Sequence, residues 1–402
     1  MRVLGMISGT SHDGIDIAIV DFVRSGARVS GRIEYTTSIP YSAGLRERLL
    51  AALPPARVGF DVACELDNAI GQEFANAAGR ALVAHQNAGF EPVDLICSHG
   101  QTVFHWVQDG AARGTLQLGQ PAWIAEATEL PVVSDVRAAD LAAGGQGAPL
   151  VPILDEVLLR PLADGGARVA ALNIGGVSNV TVIAPGSEPV AWDIGPGNAL
   201  IDAVVTASNE TRDTFDRDGA LASIGAINET LLADFLAEPY YRLSAPKTTG
   251  KELFNHNYVR AHIDRVGVTP ALPELVATLT ELTARTVADA VRGADVNDLI
   301  VSGGGVRNPA LMRRIEQLLP EVHVRSSDAI GIPADDKEAI AFALIGWATA
   351  NHLPSNLPSC TGARGVRVLG RITPGRNGRL PQAVMIGEWP NVSFAQVVGR
   401  KR

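Results

Sequence analysis

The sequence predicts an α/β protein of two domains, and three observations lead to this prediction. The chain has 402 residues, more than one ordinary hydrophobic core accommodates. Apolar strand-like runs alternate with segments of helical periodicity. Two patterns of strand, glycine turn and strand, in residues 2–22 and 169–183, lie about 170 residues apart and hint at an internal duplication.

Composition limits the partners and the compartment. Lysine and arginine number 34 against 43 aspartates and glutamates, and this net charge of −9 argues against a nucleic-acid or anionic membrane partner. Cys64, Cys97 and Cys360 are few and widely spaced, which favours a reducing compartment over a disulfide framework or a zinc site. Neither a signal peptide nor a transmembrane run is recognisable. We therefore expect a cytoplasmic enzyme that acts on a small molecule.

The first glycine turn connects two predicted strands, Arg2–Ile7 and Ile15–Phe22, and has the sequence SGTSHDG. It lacks the lysine of a Walker A loop and opens no helix, so it is not a dinucleotide fingerprint either. Backbone N–H groups in such a turn can hold an anion, and Asp13 could orient Mg²⁺ through a bound water. A plain hairpin turn is the alternative.

The second glycine turn follows a predicted strand at Val169–Ile174, where Gly175 and Gly176 allow close approach of a ligand to the backbone. Before it, a short apolar strand at residues 95–97 runs into the polar motif SHGQTVFH, in which His99 is interpreted as a loop residue. Two glycine hairpins from two halves of a protein could together bind a polyphosphate.

The C-terminal half contains the clearer helices, at Glu274–Arg292 and Asp336–Ala350. A buried-type strand at Leu299–Val301 leads into SGGGVRNPALM, in which Asn308 suits a helix N-cap and Pro309 the first helical position. The triple glycine before this helix suits a phosphate or a flat ligand, and a loop with several positive φ angles is the alternative.

Four side chains are candidates for chemistry, each with a plainer alternative. Asp193 is predicted just past a strand end, as a general base or as a turn aspartate. Arg137 suits a carboxylate or phosphate ligand, or a surface salt bridge. Glu338 suits a sugar site, or only the dipole of its helix. Cys97 near His99 raises a nucleophile hypothesis, although adjacency in sequence gives no pairing geometry.

Seven motifs occur in one order and together resemble the anhydro-N-acetylmuramic acid kinase family, within the sugar kinase/Hsp70/actin superfamily. They are GMISGTSHDGID, SHGQTVFH, AAGGQGAPLVP, NIGGVSNVT, DIGPGNALIDA, PKTTGKELFN and NLPSCTGA, and they cover nearly the whole chain. The resemblance implies two duplicated ribonuclease-H-like domains with a central ATP cleft. It places an N-terminal domain at residues 1–132, completed by about 366–390, and a C-terminal domain at 133–365.

The resemblance also implies an activity. Water opens the 1,6-anhydro bridge of anhydro-N-acetylmuramic acid and ATP phosphorylates O6, giving N-acetylmuramic acid 6-phosphate and ADP in peptidoglycan recycling and amino-sugar catabolism. Mg²⁺, held in part by Asp13, and a homodimer are implied as well. Asp193 would take a proton from the attacking water. The implied sugar-binding residues are Ser98, His99, Gln101, Arg137 and Glu338, and the implied ATP-binding residues are Gly9, Thr10, Ser11, His12, Asp13, Gly14, Ile15, Asp16, Gly175, Gly176, Gly303, Gly304 and Gly305.

The chain departs from the family pattern at three positions. His12, Gln120 and Ile194 stand where leucine, aspartate and threonine are expected. Three other functions stay open at this point. They are a kinase of the same superfamily for another sugar or acid, a non-catalytic ATP-binding protein, and a hydrolase that uses Cys97 and His99. They differ in whether the sugar stimulates ADP release.

Overall fold

The chain is known from a computed structural model that describes residues 1–9, 11–26, 28–108, 111–245, 247–250, 253–382 and 389–395. The strands are β1 (Arg2–Ser8), β2 (Gly14–Ser25), β3 (Arg28–Pro40), β4 (Leu95–Gln108), β5 (Ala111–Leu118), β6 (Val132–Ser134), β7 (Val169–Ile174), β8 (Val177–Ile183), β9 (Val190–Pro196), β10 (Asp298–Ser302), β11 (His323–Ser326), β12 (Arg371–Thr373) and β13 (Asn391–Ala395). The α-helices are α1 (Ala43–Ala52), α2 (Phe60–Asn87), α3 (Pro121–Thr128), α4 (Ala138–Ala142), α5 (Pro152–Asp164), α6 (Ala199–Ala207), α7 (Ala220–Ile224), α8 (Glu229–Leu236), α9 (His256–Val266), α10 (Leu272–Gly293), α11 (Pro309–Leu318), α12 (Lys337–Ala350) and α13 (Pro358–Thr361).

The chain divides into two units. The first comprises Met1–Leu158 together with Asp336–Arg402, and the second is the continuous segment Leu159–Asp335. The first unit is therefore interrupted in sequence by the whole of the second. The family-based domain boundaries at 132/133 and near 366 lie elsewhere on the chain and stay a prediction.

Each unit contains one sheet, and the two sheets share a topology. The first has the order β12-β6-β4-β1-β2-β3-β13, with β5 paired to β4, and the second has the order β11-β10-β7-β8-β9. In the first sheet, β1 pairs antiparallel with β2 and parallel with β4, and β6 pairs parallel with β4. In the second sheet, β7 pairs antiparallel with β8 and parallel with β10, and β11 pairs parallel with β10. This repetition confirms the α/β fold class and the predicted duplication of a ribonuclease-H-like unit.

The local predictions about turns and caps are confirmed. β1 and β2 form a hairpin that closes at Ile7 opposite Asp16, and β7 and β8 form the second glycine hairpin. The Asn308 side chain caps α11, because its Oδ1 accepts hydrogen bonds from the next two available backbone N–H groups at 3.1 Å.

Two predictions about strand ends are wrong. The strand predicted at residues 95–97 continues to Gln108, because its polar second half pairs antiparallel with β5. Asp193 lies inside β9 rather than past its end, since Gly195 and Pro196 continue the ladder with β8 after a bulge at Ile194. Pro196 is tolerated there because β9 is an edge strand.

Helices cover both faces of the first sheet. Apolar side chains of β1 and β2 pack with α2 on one face. On the other face α12, almost wholly buried, crosses β1, β2 and β4. Its close approach requires Gly5, because an added Cβ would collide with the backbone of Ala339 and Ala343. At the start of α12, Lys337 forms a buried ion pair with Asp155 of α5 at 2.5 Å.

The second sheet has its own core. Val180, Val182 and Ile194 pack with α10 and α11 in one buried cluster. A separate cluster joins α6, α8 and α9 to the first half of α10. Among the residues that the structure describes, no helix is both long and apolar enough to cross a membrane.

Candidate active site

The first glycine hairpin carries a tight loop between β1 and β2. His12 adopts a positive φ of 53° and its N–H donates to the Gly9 carbonyl at 3.3 Å, while Ser11 Oγ donates to Asp13 Oδ1 at 2.5 Å. Histidine enters the left-handed region more readily than most residues, which accounts for its tolerance at a position where leucine is expected. Thr10, predicted for the same loop, lies outside the described residues.

Three backbone carbonyl groups of this loop accept hydrogen bonds from other parts of the first unit. Gln101 Nε2 donates to the Gly9 carbonyl at 3.2 Å, and Arg46 Nε donates to the His12 carbonyl at 3.0 Å. The Asp13 carbonyl accepts from the backbone N–H that follows β3, also at 3.0 Å. These three carbonyl oxygens are therefore already hydrogen-bonded within the first unit.

Gln101 of β4 has no exposed surface and supports the base of the loop. Its Oε1 accepts from Ser8 Oγ at 2.7 Å and from Tyr41 Oη at 3.4 Å. Its Nε2 donates to the carbonyls of Gly9 and Thr102, both at 3.2 Å. The side-chain amide is therefore hydrogen-bonded at both ends.

His99 lies two residues earlier on β4 and is 3% exposed. Its Nδ1 is 3.0 Å from the Gly100 carbonyl, its Nε2 is 2.9 Å from Arg137 Nε, and its ring lies 4.7 Å from that of Phe342. Burial, reinforced by the Arg137 charge, lowers the pKa of His99 to about 3. The imidazole is therefore neutral, with the proton on Nδ1 and Nε2 as the acceptor.

Arg137 has an acidic neighbour in Glu338, and Glu338 also acts on Asp16. Burial lowers the pKa of Arg137 to about 10, while nearby Glu338 acts in the opposite direction. Burial raises the pKa of Glu338, opposed by its basic neighbours. Burial also raises the pKa of Asp16 to about 6, and the negative charges of Glu338, Asp13 and Asp336 add to this shift.

Ser98 and Cys97, which precede His99 on β4, are buried without the hydrogen bonds that His99 and Gln101 make. The Ser98 hydroxyl is buried and has no hydrogen-bond partner in the part of the chain that the structure describes. Cys97 is fully buried beside Gly346 of α12, and burial raises the pKa of its thiol well above the ordinary value. A buried, protonated thiol is a poor nucleophile, which argues against the hydrolase alternative.

The second glycine hairpin is tied to the turn that follows β9. Gly197 N–H donates to the Gly176 carbonyl at 2.9 Å, and Asn198 N–H donates to the Gly175 carbonyl at 2.8 Å. As in the first hairpin, carbonyl groups at the turn are used within the same unit.

The triple-glycine segment adjoins this hairpin. Gly303 has a φ of 85°, and an added Cβ would lie 2.7 Å from the Ile174 carbonyl oxygen. Gly305 packs against the Ile174 side chain, and Gly304 lies between them at the start of a short 3₁₀ turn. The structure thus brings together the residues predicted for the phosphates and for adenosine in the second unit.

Asp193 is half-buried and held from three directions. Its Oδ2 accepts from Thr249 N–H at 2.9 Å, its N–H donates to the Lys247 carbonyl at 3.0 Å, and its carbonyl accepts from Tyr240 Oη at 2.7 Å. The motif PKTTGKELFN contains two of these partners, but nothing in the sequence indicates Tyr240.

The other two departures from the family pattern have local explanations. Gln120 caps α3, and its Oε1 accepts from Ala122 N–H at 3.4 Å. Ile194 belongs to the buried core of the second unit. At Gln120 an amide thus takes over the helix cap where a carboxylate is expected, and at Ile194 an apolar side chain joins the core where a hydroxyl is expected.

A preformed metal cage is absent from the residues that the structure describes, since no group of three or more His, Cys, Asp or Glu side chains is suitably placed. One or two carboxylates, such as Asp13, suit Mg²⁺ that is already bound to phosphate oxygens. The residues present therefore fit a metal that arrives with a nucleotide.

Known proteins resemble this chain along nearly its whole length. A family model described as anhydro-N-acetylmuramic acid kinase matches residues 1–375. A protein of that name from Streptomyces coelicolor is 50% identical, covering 99% of this chain and 100% of its own. Another, from Rhodococcus erythropolis, is 47% identical over 97% of this chain and 98% of its own. Among solved structures, the activator of the 2-hydroxyisocaproyl-CoA dehydratase from Clostridium difficile, with bound ADPNP, is 12% identical, covers 86% of this chain and 94% of its own, and has a TM-score of 0.41.

Proposed function

Because the chain belongs to the anhydro-N-acetylmuramic acid kinase family, we propose a specific division of its reaction among the residues described above. The enzyme is an ATP-dependent phosphotransferase. It opens the 1,6-anhydro bridge of anhydro-N-acetylmuramic acid with water and phosphorylates O6, and N-acetylmuramic acid 6-phosphate and ADP are the products. Cell-wall recycling is the setting that this activity serves.

The ATP phosphates are assigned to the two glycine hairpins. The observation that supports this assignment most directly is that the Gly9, His12 and Asp13 carbonyls already accept hydrogen bonds from the protein. A polyphosphate is repelled by carbonyl oxygens and attracted by N–H groups, so a loop whose carbonyls are occupied in this way suits it. The full assignment to ATP comprises residues 9–16, with Thr10 retained, together with Gly175, Gly176 and Gly303–Gly305.

Mg²⁺ is assigned to the nucleotide rather than to the protein alone. Asp13 would contact it through a water. Burial raises the pKa of Asp16, and the carboxylates of Glu338, Asp13 and Asp336 add to this shift, so a nearby cation would favour the ionised form of Asp16. When bound, Mg²⁺ neutralises part of the charge on the phosphates.

Asp193 is assigned as the general base. Its carboxylate accepts a proton from the water that attacks C1, the bond between C1 and the bridging oxygen breaks, and that oxygen becomes the free O6. O6 then attacks the γ-phosphorus, and ADP leaves. The Thr249 N–H fixes the orientation of the carboxylate during these steps.

Arg137 and Glu338 are assigned to the sugar. Arg137 suits the lactyl carboxylate of the muramic group, because a guanidinium binds a carboxylate in a bidentate manner. Of the other three residues predicted for the sugar, Ser98 stays a prediction as a direct contact, whereas the hydrogen bonds of His99 and Gln101 are made within the protein.

The remaining assignments concern the protein as a whole. A cytoplasmic homodimer without nucleic-acid or membrane partners is proposed from the family and the negative net charge. Light scattering on the purified protein measures its assembly, and a monomeric mass would contradict the homodimer.

An ADP-release assay with anhydro-N-acetylmuramic acid in ¹⁸O-labelled water tests the reaction. We expect ADP release that depends on the sugar, and one solvent oxygen at C1 of the product. N-acetylglucosamine and a sample without sugar are the controls. Faster phosphorylation of N-acetylglucosamine, or product without solvent oxygen at C1, would contradict the proposal.

A further inference from the structure

We propose that His99 and Gln101 are positioning residues with separate tasks on one strand. Gln101 fixes the loop that binds the ATP phosphates, and His99 orients Arg137 toward the carboxylate of the sugar. The inference rests on the proposed function, since it takes from there the assignment of the loop to ATP and of Arg137 to the sugar.

Gln101 has no hydrogen-bonding capacity left for a ligand. A side-chain amide donates two hydrogen bonds and accepts two. Here Ser8 and Tyr41 occupy the two acceptor positions, and the carbonyls of Gly9 and Thr102 occupy the two donor positions. Three of these four partners lie at the ends of β1 and β3 or in the loop itself. Gln101 therefore contributes to the loop geometry and not to a contact with substrate.

His99 is saturated in the same way. Its Nδ1–H donates to the Gly100 carbonyl, and its Nε2 accepts from Arg137 Nε. Its ring packs on Phe342 of α12, which sets the plane of the imidazole. Nothing of the imidazole is left for a ligand, because both nitrogens are used and only 3% of the residue is exposed.

The bond to Arg137 has a directional consequence. With Nε–H committed to His99, the end of the guanidinium that carries both Nη groups points away from the histidine. That end forms parallel hydrogen bonds with a carboxylate. His99 can support this arrangement only while it is neutral, since an imidazolium has no acceptor for Arg137.

Steady-state kinetics of five variants, with ATP and sugar varied separately, test the inference. Gln101→Met and the milder Ser8→Ala remove the support of the loop. His99→Phe removes the acceptor for Arg137, and His99→Gln supplies a side-chain oxygen near the position of Nε2. Cys97→Ala is the matched control, because Cys97 is buried on the same strand and also faces α12.

We expect the KM for ATP to rise about tenfold in Gln101→Met and less in Ser8→Ala, with the KM for the sugar within about twofold of wild type. His99→Phe should show the reverse pattern, His99→Gln should recover most of the loss, and Cys97→Ala should change neither KM. Thermal unfolding of each variant measures its stability.

The outcomes separate the two proposals. If the wild-type enzyme shows no ADP release that depends on the sugar, the proposed function fails. If the wild type is active but either removal variant raises the KM of the other ligand, or both KM values together, the inference is overturned. In particular, a rise in the KM for the sugar in Gln101→Met would overturn the inference and indicate that Gln101 contacts the sugar directly.

Discussion

Asp16→Asn offers a direct test of the electrostatics of the first unit. Burial and neighbouring carboxylates raise the pKa of Asp16 from 3.8 to about 6. Each pKa unit corresponds to about 1.36 kcal/mol, so the ionised form of Asp16 is disfavoured in the folded protein by up to about 3 kcal/mol. Because the side chain is partly exposed, about 1–3 kcal/mol is the expected range.

The sign of the effect follows from proton linkage. Between about pH 4 and pH 6 the folded protein binds more protons at Asp16 than the unfolded chain does, so stability falls as the pH rises through this window. Asparagine keeps the size of the side chain and carries no charge. We therefore expect Asp16→Asn to be more stable than wild type at pH 7.5, and about a third of that difference to remain at pH 4.5, where Asp16 of the unfolded chain is already largely ionised.

Urea unfolding at a series of pH values between 4.5 and 8, without nucleotide, measures this difference. Asp264→Asn, at an exposed position on α9, is the control for the loss of one surface carboxylate. A difference between Asp16→Asn and wild type that stays constant with pH, or grows toward acid pH, would refute the reasoning.

Three other changes probe separate features. Asp193→Asn should lower kcat by about 1000-fold or more while nucleotide binding, measured by calorimetry, survives, and near-normal turnover would exclude Asp193 as the base. Cys97→Ala should keep its turnover and lose only about 1 kcal/mol of unfolding free energy, whereas loss of activity would restore the hydrolase alternative. Lys337→Met should destabilise the protein by about 3–5 kcal/mol, because it removes the buried cation that is paired with the buried Asp155 carboxylate. Adding Asp155→Leu should restore much of that loss in chemical denaturation, and additive losses would contradict the coupling.

The sequence predicts those parts of the fold that depend on neighbouring residues. The two glycine hairpins, the Asn308 cap and the helix α10 follow from turn residues, capping side chains and periodicity. The duplication was indicated by the hairpins alone, and the shared strand order establishes it.

The two errors have a common physical reason. The strand β4 continues through polar residues, and β9 continues through Asp193 into an Ile-Gly-Pro segment, because a partner strand supplies the hydrogen bonds in each case. Apolar runs end at Cys97 and before Asp193, so a reading of hydrophobicity ends the strands too early. Tertiary pairing overrides this local signal.

In the candidate site, too, local sequence signals are predictable and contacts between distant residues are not. Motifs identify which residues belong together, but not whether a side chain has unused hydrogen-bonding capacity. The partners of Gln101 include Ser8 and Tyr41, which are 93 and 60 residues away in the chain. No local pattern predicts that these side chains saturate the amide, and this saturation is what changes the role assigned to Gln101.

The interruption of the first unit by the second has a consequence for synthesis on the ribosome. Residues 159–335 are translated in full before α12 emerges, so the second unit has its complete sequence while the first still lacks a helix. During this interval α12 is not yet available to cover the apolar face of β1, β2 and β4. The nascent first unit is then open to aggregation and to chaperone binding, and release of the last 67 residues ends this exposure.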